Sequence, residues 1–212
     1  MSKKIIIYDF DGTLADTFTA TIEIYNRIAA EKGFKTITSD NVEMIRSSSP
    51  GEIMKILGVK LYQLPPLVIR ARKELKSAMP TVQLHAGIKE MVYGLKELGY
   101  EQGIVTSNSK ENVNEFLKKN DLEIFDFFYG GGSLFGKAAI LKKIIKERHV
   151  LPQDIIYVGD EVRDIEAAKQ AGTKMIAVSW GFNKRSALEK RAPEVLIDRP
   201  GELVMAIKEM KI

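Results

Sequence analysis

The first apolar segment of the chain, residues 5–8, leads directly into two carboxylates, Asp9 and Asp11. Side chains two residues apart in a strand point to the same face of the sheet. Two unpaired carboxylates about 4 Å apart repel each other by about 4 kcal/mol at an effective dielectric of about 20. A bound cation or a shared proton relieves this repulsion, so the pair predicts a cation site or acid–base chemistry. Because Asp-Gly is also a common turn, the pair alone is a modest indication.

A second acidic pair follows the apolar segment 155–158, where Asp160 and Asp164 are separated by one helical turn. This spacing places both side chains on one face of a helix. Acidic residues also favour helix N-termini for electrostatic reasons, which by itself would account for Asp164. If the two apolar segments are neighbouring strands, this pair joins Asp9 and Asp11 in an oxygen-rich site suited to Mg²⁺.

Hydroxyl and amide side chains follow a third apolar segment, in the sequence Thr106-Ser107-Asn108. Their polar groups and the loop amides can donate hydrogen bonds, and Lys137 can place a positive charge opposite phosphate oxygens. Each residue also has an ordinary explanation, because Ser and Asn cap helices and most lysines are solvated. Their positions near the ends of successive strands of one sheet give them more weight together than separately.

Short apolar runs alternate with helical periodicity along most of the chain, which predicts an α/β fold with a doubly wound, mostly parallel, Rossmann-like sheet. The predicted strands are 5–10, 103–107, 125–129, 155–158, 174–178 and 195–197. The predicted helices are 88–98, 110–119, 138–148 and 164–171. Ligands of such sheets bind at the carboxyl ends of the strands, which is where the acidic and hydroxyl residues follow.

The segment from residue 17 to residue 78 interrupts this alternation, because it shows helical periodicity and several prolines but no convincing strand. We predict a small α-helical cap over residues 16–80, inserted into an α/β core formed by residues 1–15 and 81–212. A cap of this kind closes over the strand ends and excludes water. Substrate choice is therefore expected to lie in cap side chains, with Arg46 as the candidate substrate-binding residue beside Ser47 and Ser48.

Composition excludes several classes of protein. The 212 residues are 45% apolar and 28% charged with a net charge of +4, as in an ordinary globular protein. Basic residues are mixed with acidic ones, so we expect no nucleic-acid partner. No apolar run approaches the ~20 residues of a membrane span. Cysteine is absent, which excludes disulfides and thiol catalysis and is compatible with a cytoplasmic location. The two histidines are too far apart for a zinc motif.

Four stretches together resemble the four motifs of the haloacid dehalogenase superfamily. They are Asp9-Phe10-Asp11-Gly12-Thr13-Leu14, Thr106-Ser107-Asn108, Lys137, and Gly159-Asp160 with Asp164. The chain is most similar to the phosphoglycolate-phosphatase-like branch, whose members carry a helical cap after the first motif. The similarity covers nearly the whole chain in order and spacing. It implies a Mg²⁺-dependent phosphohydrolase that acts on a small phosphorylated metabolite through an aspartyl-phosphate intermediate.

The resemblance implies a role for each acidic residue of the motifs. Asp9 would be the nucleophile, and Asp11 would be the general acid and base. Mg²⁺ would be held by Asp9, by Asp160 and by the backbone carbonyl of Asp11. Asp164 would bind or orient the ion through water. The physical chemistry agrees with a carboxylate nucleophile, since a carboxylate with a pKa near ~3.9 is ionised at neutral pH without a base.

The resemblance also assigns the groups that would bind the phosphoryl group. Thr106 would hold it, with Ser107 and Asn108 in the same loop, and Lys137 would balance its charge. Members of this branch often have Pro after that lysine, whereas this chain has Ala. Lys110 is therefore an alternative source of the positive charge.

Four other functions are possible for a chain with these residues. The stretch 131–138 nearly fits the G-x-x-x-x-G-K-[ST] loop of nucleotide triphosphatases, but Ala138 replaces the hydroxyl that would hold Mg²⁺, and Asp9 and Asp11 would have no role. A sugar phosphomutase would use the same Asp pair while its cap keeps water from the phosphoenzyme. A non-catalytic binding protein is disfavoured because no expected catalytic residue is missing, and a dehalogenase is disfavoured because Asp11 and the metal cluster would be redundant.

Overall fold

The computed structural model describes residues 4–131 and 136–210. Within these residues the strands form one six-stranded sheet in the order β3-β2-β1-β4-β5-β6, and every pairing is parallel. The strands are β1 (Ile5–Tyr8), β2 (Glu101–Val105), β3 (Phe127–Tyr129), β4 (Ile155–Gly159), β5 (Lys174–Val178) and β6 (Val195–Ile197). The doubly wound α/β sheet predicted from the sequence is confirmed.

Helices connect and cover the strands. Between β1 and β2 the helices are α1 (Phe18–Lys32), α2 (Val42–Arg46), α3 (Pro50–Leu57), α4 (Leu64–Ala78) and α5 (Ile88–Glu97). The later helices are α6 (Lys110–Lys119), α7 (Lys137–Arg148), α8 (Val162–Ala171), α9 (Arg185–Glu189) and α10 (Leu203–Glu209). Short 3-10 turns lie at Leu61–Gln63, Met79–Thr81, Pro152–Asp154 and Pro200–Glu202. The helices predicted from periodicity are therefore present, with ends that differ by at most two residues.

The sheet is buried on both faces, because successive β1 side chains enter two different apolar layers. Ile6 and Tyr8 belong to the layer that also contains α5 and α6 side chains, whereas Ile5 and Ile7 pack with side chains of α7 and α8. Strands buried on both faces are expected to be almost continuously apolar, as β1 and β4 are. This packing holds the strands in position, and it therefore determines where the residues after each strand lie.

Strand β2 begins earlier than the sequence indicates, at the polar residues Glu101 and Gln102. Gln102 is fully buried, yet its side chain accepts a hydrogen bond from Tyr8 Oη (2.7 Å) and donates one to Val92 O (2.9 Å). A buried amide is tolerated when its donors and acceptors are paired in this way. Because these partners come from distant parts of the chain, the polar start of the strand was not predicted.

The backbone segments just before α1 and just after α4 lie next to each other. Ala15 and Leu84 form an antiparallel bridge, and the Asp16 amide donates to Gln83 O at 2.9 Å. Helices α1 and α4 pack against each other, with Arg70 on α4 paired to Glu31 on α1. The segment predicted to be helical is thus helical, and the domain boundaries at residues 16 and 80 stay a prediction. In the described part of the chain, no helix has the length and apolarity needed to cross a membrane.

Candidate active site

The register of the central strands brings three of the predicted motifs to one edge of the sheet. Tyr8 at the end of β1 lies beside Ile104 of β2 and Val158 of β4. Asp9, Thr106 and Asp160 follow these three residues by one or two positions in the sequence. The carboxyl ends of the parallel strands therefore form a single site, as the topology of such sheets requires.

Asp9 is buried at the centre of this edge, with 2% of its surface exposed. Its amide donates to Val158 O (2.8 Å) and its Oδ1 accepts from the Phe10 amide (2.7 Å). Its Oδ2 lies 2.5 Å from Lys137 Nζ. Burial raises the pKa of Asp9 to about 7, and the charge of Lys137 opposes that rise. The carboxylate is therefore held in one orientation by a backbone amide and a lysine.

Lys137, the first residue of α7, bridges two carboxylates. Its Nζ lies 2.6 Å from Asp164 Oδ1 in addition to its contact with Asp9, and it is 3% exposed. The Oδ2 of Asp164 accepts from the Glu161 amide at 3.0 Å, and Tyr157 Oη donates to Oδ1 at 3.2 Å. A buried ammonium needs such anionic partners to remain charged. Lys110, the alternative predicted from the sequence, is exposed at the start of α6.

Asp160 is fully buried and is held by a second set of donors. Thr13 Oγ1 donates to Oδ1 and the Phe182 amide donates to Oδ2, each at 2.7 Å. Two glycines make room for it, because a Cβ on Gly12 or Gly181 would lie 2.3 or 2.2 Å from Asp160 Oδ2. Gly12 also has a φ of 78°, which favours glycine. These positions leave the carboxylate no freedom to turn away.

The carboxylates of Asp9, Asp160 and Asp164 form a buried cluster in which one oxygen from each lies within 4.8 Å of the others. Burial raises the pKa of Asp160 well above its usual value, and the nearby charges of Glu161, Asp9 and Asp164 raise it further. Three crowded carboxylates are costly to ionise unless a cation lies among them. The purely oxygen donor set fits a hard divalent cation such as Mg²⁺ better than a softer metal.

Asp11 lies beside this cluster rather than within it. Its two carboxylate oxygens accept from Asn108 Nδ2 at 3.1 and 3.2 Å. Burial raises the pKa of Asp11, while the hydrogen bond from Asn108 lowers it. A carboxyl group that lines a cavity and whose pKa is raised is better suited to give and take protons than one with an ordinary pKa.

The loop after β2 presents its polar groups to the same site. Thr106 is buried, and its Oγ1 accepts from the Asn108 amide at 3.0 Å. Asn108 Oδ1 accepts from the Ser109 amide (2.8 Å) and from Asn112 Nδ2 (3.0 Å), which fixes the amide group that holds Asp11. Ser107 lines the cavity. The structure thus brings Thr106, Ser107 and Asn108 together with the acidic residues.

Arg46 points to the loop that holds Asp160. Its Nε and Nη2 donate to the carbonyls of Phe182 (3.1 Å) and Gly181 (2.9 Å), and its guanidinium lies over the Phe18 ring. Asn183, which the sequence did not single out, donates from Nδ2 to the Arg46 carbonyl at 2.9 Å. Substrate binding by Arg46 stays a prediction. Its observed contacts join α2 to the loop beside the acidic cluster.

A cavity of about 340 Å³ opens next to Asp11 and extends between the inserted helices. Its core side contains Ser107, Asn108 and Arg163. Arg163 is paired with Glu161 and was not singled out from the sequence, because an arginine between two acidic residues is typical of an exposed helix start. The far side of the cavity is formed by α1, α3 and α4.

The nucleotide-triphosphatase alternative gains no support from this arrangement. Residues 132–135 of its glycine pattern lie outside the described residues. The ammonium of Lys137, which would have to reach a triphosphate, contacts the carboxylates of Asp9 and Asp164 instead.

Comparisons with known proteins agree with this geometry. The chain is 32% identical over 208 residues to a phosphoglycolate phosphatase of Synechococcus elongatus, covering 98% of each chain. It is 26% identical over 225 residues to the pyrophosphatase PpaX of Bacillus anthracis, covering 99% of each.

Two solved structures share the fold. A haloacid dehalogenase-like family hydrolase of Streptococcus pneumoniae superposes with a TM-score of 0.78 at 23% identity, over 97% of this chain and 98% of the other. CbbY of Rhodobacter sphaeroides, in complex with phosphate, superposes with a TM-score of 0.72 at 20% identity, over 96% of each. The family description "Haloacid dehalogenase-like hydrolase" matches residues 6–178. With its acidic strand ends, its parallel sheet and these matches, the chain belongs to the haloacid dehalogenase-like hydrolase family.

Proposed function

We propose that this protein is a Mg²⁺-dependent phosphatase that hydrolyses a small phosphate monoester through an aspartyl-phosphate intermediate on Asp9. The observation that carries the proposal is the cluster of Asp9, Asp160 and Asp164, bridged by Lys137 and adjoined by Asp11. The names of the relatives support a phosphorylated substrate, with 2-phosphoglycolate as the first ester to assay. We also propose residues 16–80 as a cap on a core of residues 1–15 and 81–212.

Mg²⁺ would be held by Asp9, Asp160 and Asp164, with the backbone carbonyl of Asp11 as a further ligand. The fit follows from the donor chemistry, since the described acidic cluster offers buried carboxylate oxygens and no nitrogen or sulfur ligand. When bound, the ion would neutralise the crowded carboxylates and polarise the phosphoryl oxygens. Lys137 adds a fixed positive charge at the same place.

In the first step, a carboxylate oxygen of Asp9 attacks phosphorus in line with the ester oxygen. The new O–P bond forms as the bond from phosphorus to the ester oxygen breaks, and Asp11 gives its proton to that oxygen so that the alcohol leaves. Asn108 holds Asp11 against the cavity, where the leaving alcohol would lie. Burial raises the pKa of Asp11, which favours the protonated form that this step needs.

In the second step, Asp11 takes a proton from water as the water oxygen attacks the phosphorus of the aspartyl-phosphate. The bond between Asp9 and phosphorus breaks, and inorganic phosphate is released. Thr106, Ser107 and the loop amides would orient the phosphoryl group in both steps, and Lys137 would balance its charge. The chain's own residues thus account for nucleophile, proton transfer and charge stabilisation.

A phosphate-release assay on a panel of monoesters, with Mg²⁺ and with excess chelator, tests the proposal. We expect phosphate from at least one ester with Mg²⁺ and almost none in chelator, since the acidic cluster repels a phosphate dianion. Interconversion of sugar monophosphates with no release of phosphate would support the phosphomutase instead. Full turnover in chelator would overturn the metal requirement.

A further inference from the structure

The cavity beside Asp11 is far more apolar than the edge of the sheet from which it opens. Among the cap side chains that line it are Ile22, Ile53, Met54, Leu67, Val68 and Ala71. Each of these side chains is only half-buried, although all lie on the inner side of the inserted helices. Apolar side chains that meet open space inside a protein lack the contacts that close packing would give them. This surface is therefore suited to an apolar ligand.

The size of the cavity also favours a large apolar ligand over a small one. Its volume of about 340 Å³ falls in the range of pockets that hold drug-sized ligands, which is roughly 300–1,000 Å³. The alcohol part of a two-carbon ester would fill only a fraction of it and would leave the apolar walls in contact with water. A larger alcohol would cover them.

The charged groups of the cavity lie toward its end near the acidic cluster. Asp11, Ser107, Asn108 and Arg163 line this end. Arg72 of α4 also lines the cavity, close enough to Asp11 and Arg163 for their charges to act on its pKa. Phosphate oxygens placed against this end would leave the ester's alcohol directed between α1, α3 and α4. A pocket that is polar at one end and apolar beyond it favours a ligand with one polar end and an apolar remainder.

We propose that the preferred substrate is the phosphate monoester of an apolar alcohol, with an alkyl or aryl group of about four to eight carbons lying in this cavity. The inference rests on the proposed phosphatase function and specifies its substrate class. It also separates this chain from what the names of its relatives suggest, because a glycolate group carries a carboxylate and offers no apolar surface.

The test is kcat/KM for methyl, butyl and hexyl phosphate, with 2-phosphoglycolate as a fourth substrate. Full burial of each added methylene corresponds to a gain of about fourfold. Because burial in the cavity is partial, we expect roughly a thirtyfold rise from methyl to hexyl phosphate, with 2-phosphoglycolate near the methyl ester. A flat or falling series, with phosphate still released from each ester, would overturn this inference while leaving the phosphatase proposal intact. No phosphate from any ester would instead remove the function on which it rests.

A steric variant tests whether the cavity itself selects the alcohol. Ala71→Phe introduces a large ring on the inner side of α4, where Ala71 lines the cavity. We expect the hexyl-to-methyl ratio of kcat/KM to fall at least about tenfold, because the ring occupies the space of the alkyl chain. Ala30→Phe places the same ring on an exposed position of α1 and should leave the ratio unchanged. Equal ratios in both variants would overturn the assignment of this cavity.

Direct binding keeps the inference testable if Ala71→Phe does not fold. Hexylphosphonate and methylphosphonate cannot be hydrolysed at the carbon–phosphorus bond, so calorimetry with the wild-type protein and Mg²⁺ measures binding alone. We expect hexylphosphonate to bind at least about tenfold more tightly, with a more negative heat-capacity change, as burial of apolar surface requires. Equal affinities and equal heat-capacity changes would contradict the proposal.

Discussion

The carboxyl edge of the sheet and the cavity between the inserted helices differ in almost every physical respect. At the edge, Asp9, Asp160 and Asp164 are buried, charged and hydrogen-bonded on more than one side. In the cavity, apolar side chains are half-buried around open space. The first region is suited to a single reaction geometry, whereas the second can accept different shapes. In the proposed function, the edge would carry the chemistry and the cavity would select the substrate.

Replacing Asp9 should have the largest effect, because the variant would lack the proposed nucleophile at the carboxyl edge. Asp9→Asn keeps the size of the side chain and one accepting oxygen, but it removes the negative charge and is a poor nucleophile. We expect phosphate release to fall by at least about 10⁴-fold, as for other essential catalytic groups. Asp16→Asn, in an exposed position of the same segment, is the matched control and should retain activity. Circular dichroism checks that both variants are folded, and substantial turnover by folded Asp9→Asn would exclude it as nucleophile.

Removing the ammonium of Lys137 tests whether the charged edge depends on its internal ion pairs. Lys137→Met leaves Asp9 and Asp164 buried without their shared partner. Breaking a buried pair from one side costs about 3–5 kcal/mol, so we expect a loss of that size in the free energy of unfolding by urea in excess chelator. Lys143→Met, which breaks an exposed pair with Glu147 on the same helix, should cost less than about 1 kcal/mol. Similar losses in both variants would contradict the asymmetry between buried and exposed pairs.

The pH dependence of stability gives a third comparison, since among the described residues the buried carboxyl groups with raised pKa values lie at the edge. The pKa of Asp9 is raised to about 7, mainly by burial, and that of Asp160 is also raised by burial. A carboxyl group with a higher pKa in the folded state binds more protons folded than unfolded. The metal-free protein should therefore lose stability as the pH rises from about 4 through 7.

Mg²⁺ should offset this loss, because it favours the ionised carboxylates. We expect the increase in Tm caused by Mg²⁺ to be larger at pH 8 than at pH 5, measured by thermal unfolding with Mg²⁺ and with excess chelator. A larger increase at pH 5 would mean that the acidic cluster does not carry the metal linkage.

Sequence patterns predicted the residues of the carboxyl edge more completely than those of the cavity, and the reason is physical. Asp9, Thr106 and Asp160 each follow an apolar run, and parallel strands must bring such positions to one edge. The supporting groups were harder to find. Gln102 is buried in a strand because of pairing with Tyr8, and Asn183 fastens a loop to Arg46 from far along the chain. Neither interaction has a local pattern.

The shape of the cavity also could not be predicted from the sequence. Helical periodicity identifies which side chains of α1 and α4 face inward, but it does not tell whether inward side chains meet one another or enclose space. That depends on how far α3 stands from the other two helices, which short loops and tertiary contacts decide. Arg46 illustrates the same limit, because its position in the inserted segment suggested substrate binding while its contacts are with Gly181 and Phe182.

Arg46 provides the test with the smallest expected effect. Its side chain joins the inserted helices to the loop beside the carboxyl edge, two regions that the other variants test separately. Its guanidinium holds the carbonyls of Gly181 and Phe182, and the Phe182 amide holds Asp160. Loss of a group that orients a metal ligand weakens metal affinity by about tenfold or more. We therefore expect Arg46→Met to raise the Mg²⁺ concentration for half-maximal activity by about tenfold, with the same change in Mg²⁺ affinity by calorimetry.

Lys184→Met is the matched control for Arg46→Met, because Lys184 also joins the core to α2, through an exposed ion pair with Glu43. It should leave the Mg²⁺ dependence nearly unchanged, since that pair does not reach the loop carbonyls beside Asp160. If Arg46 binds substrate instead, Arg46→Met should raise KM for the ester while the Mg²⁺ dependence stays as in the wild type. Equal shifts in Mg²⁺ dependence for both variants would show that contact between the inserted helices and the core matters in general. The specific path from Arg46 to Asp160 would then lose its support.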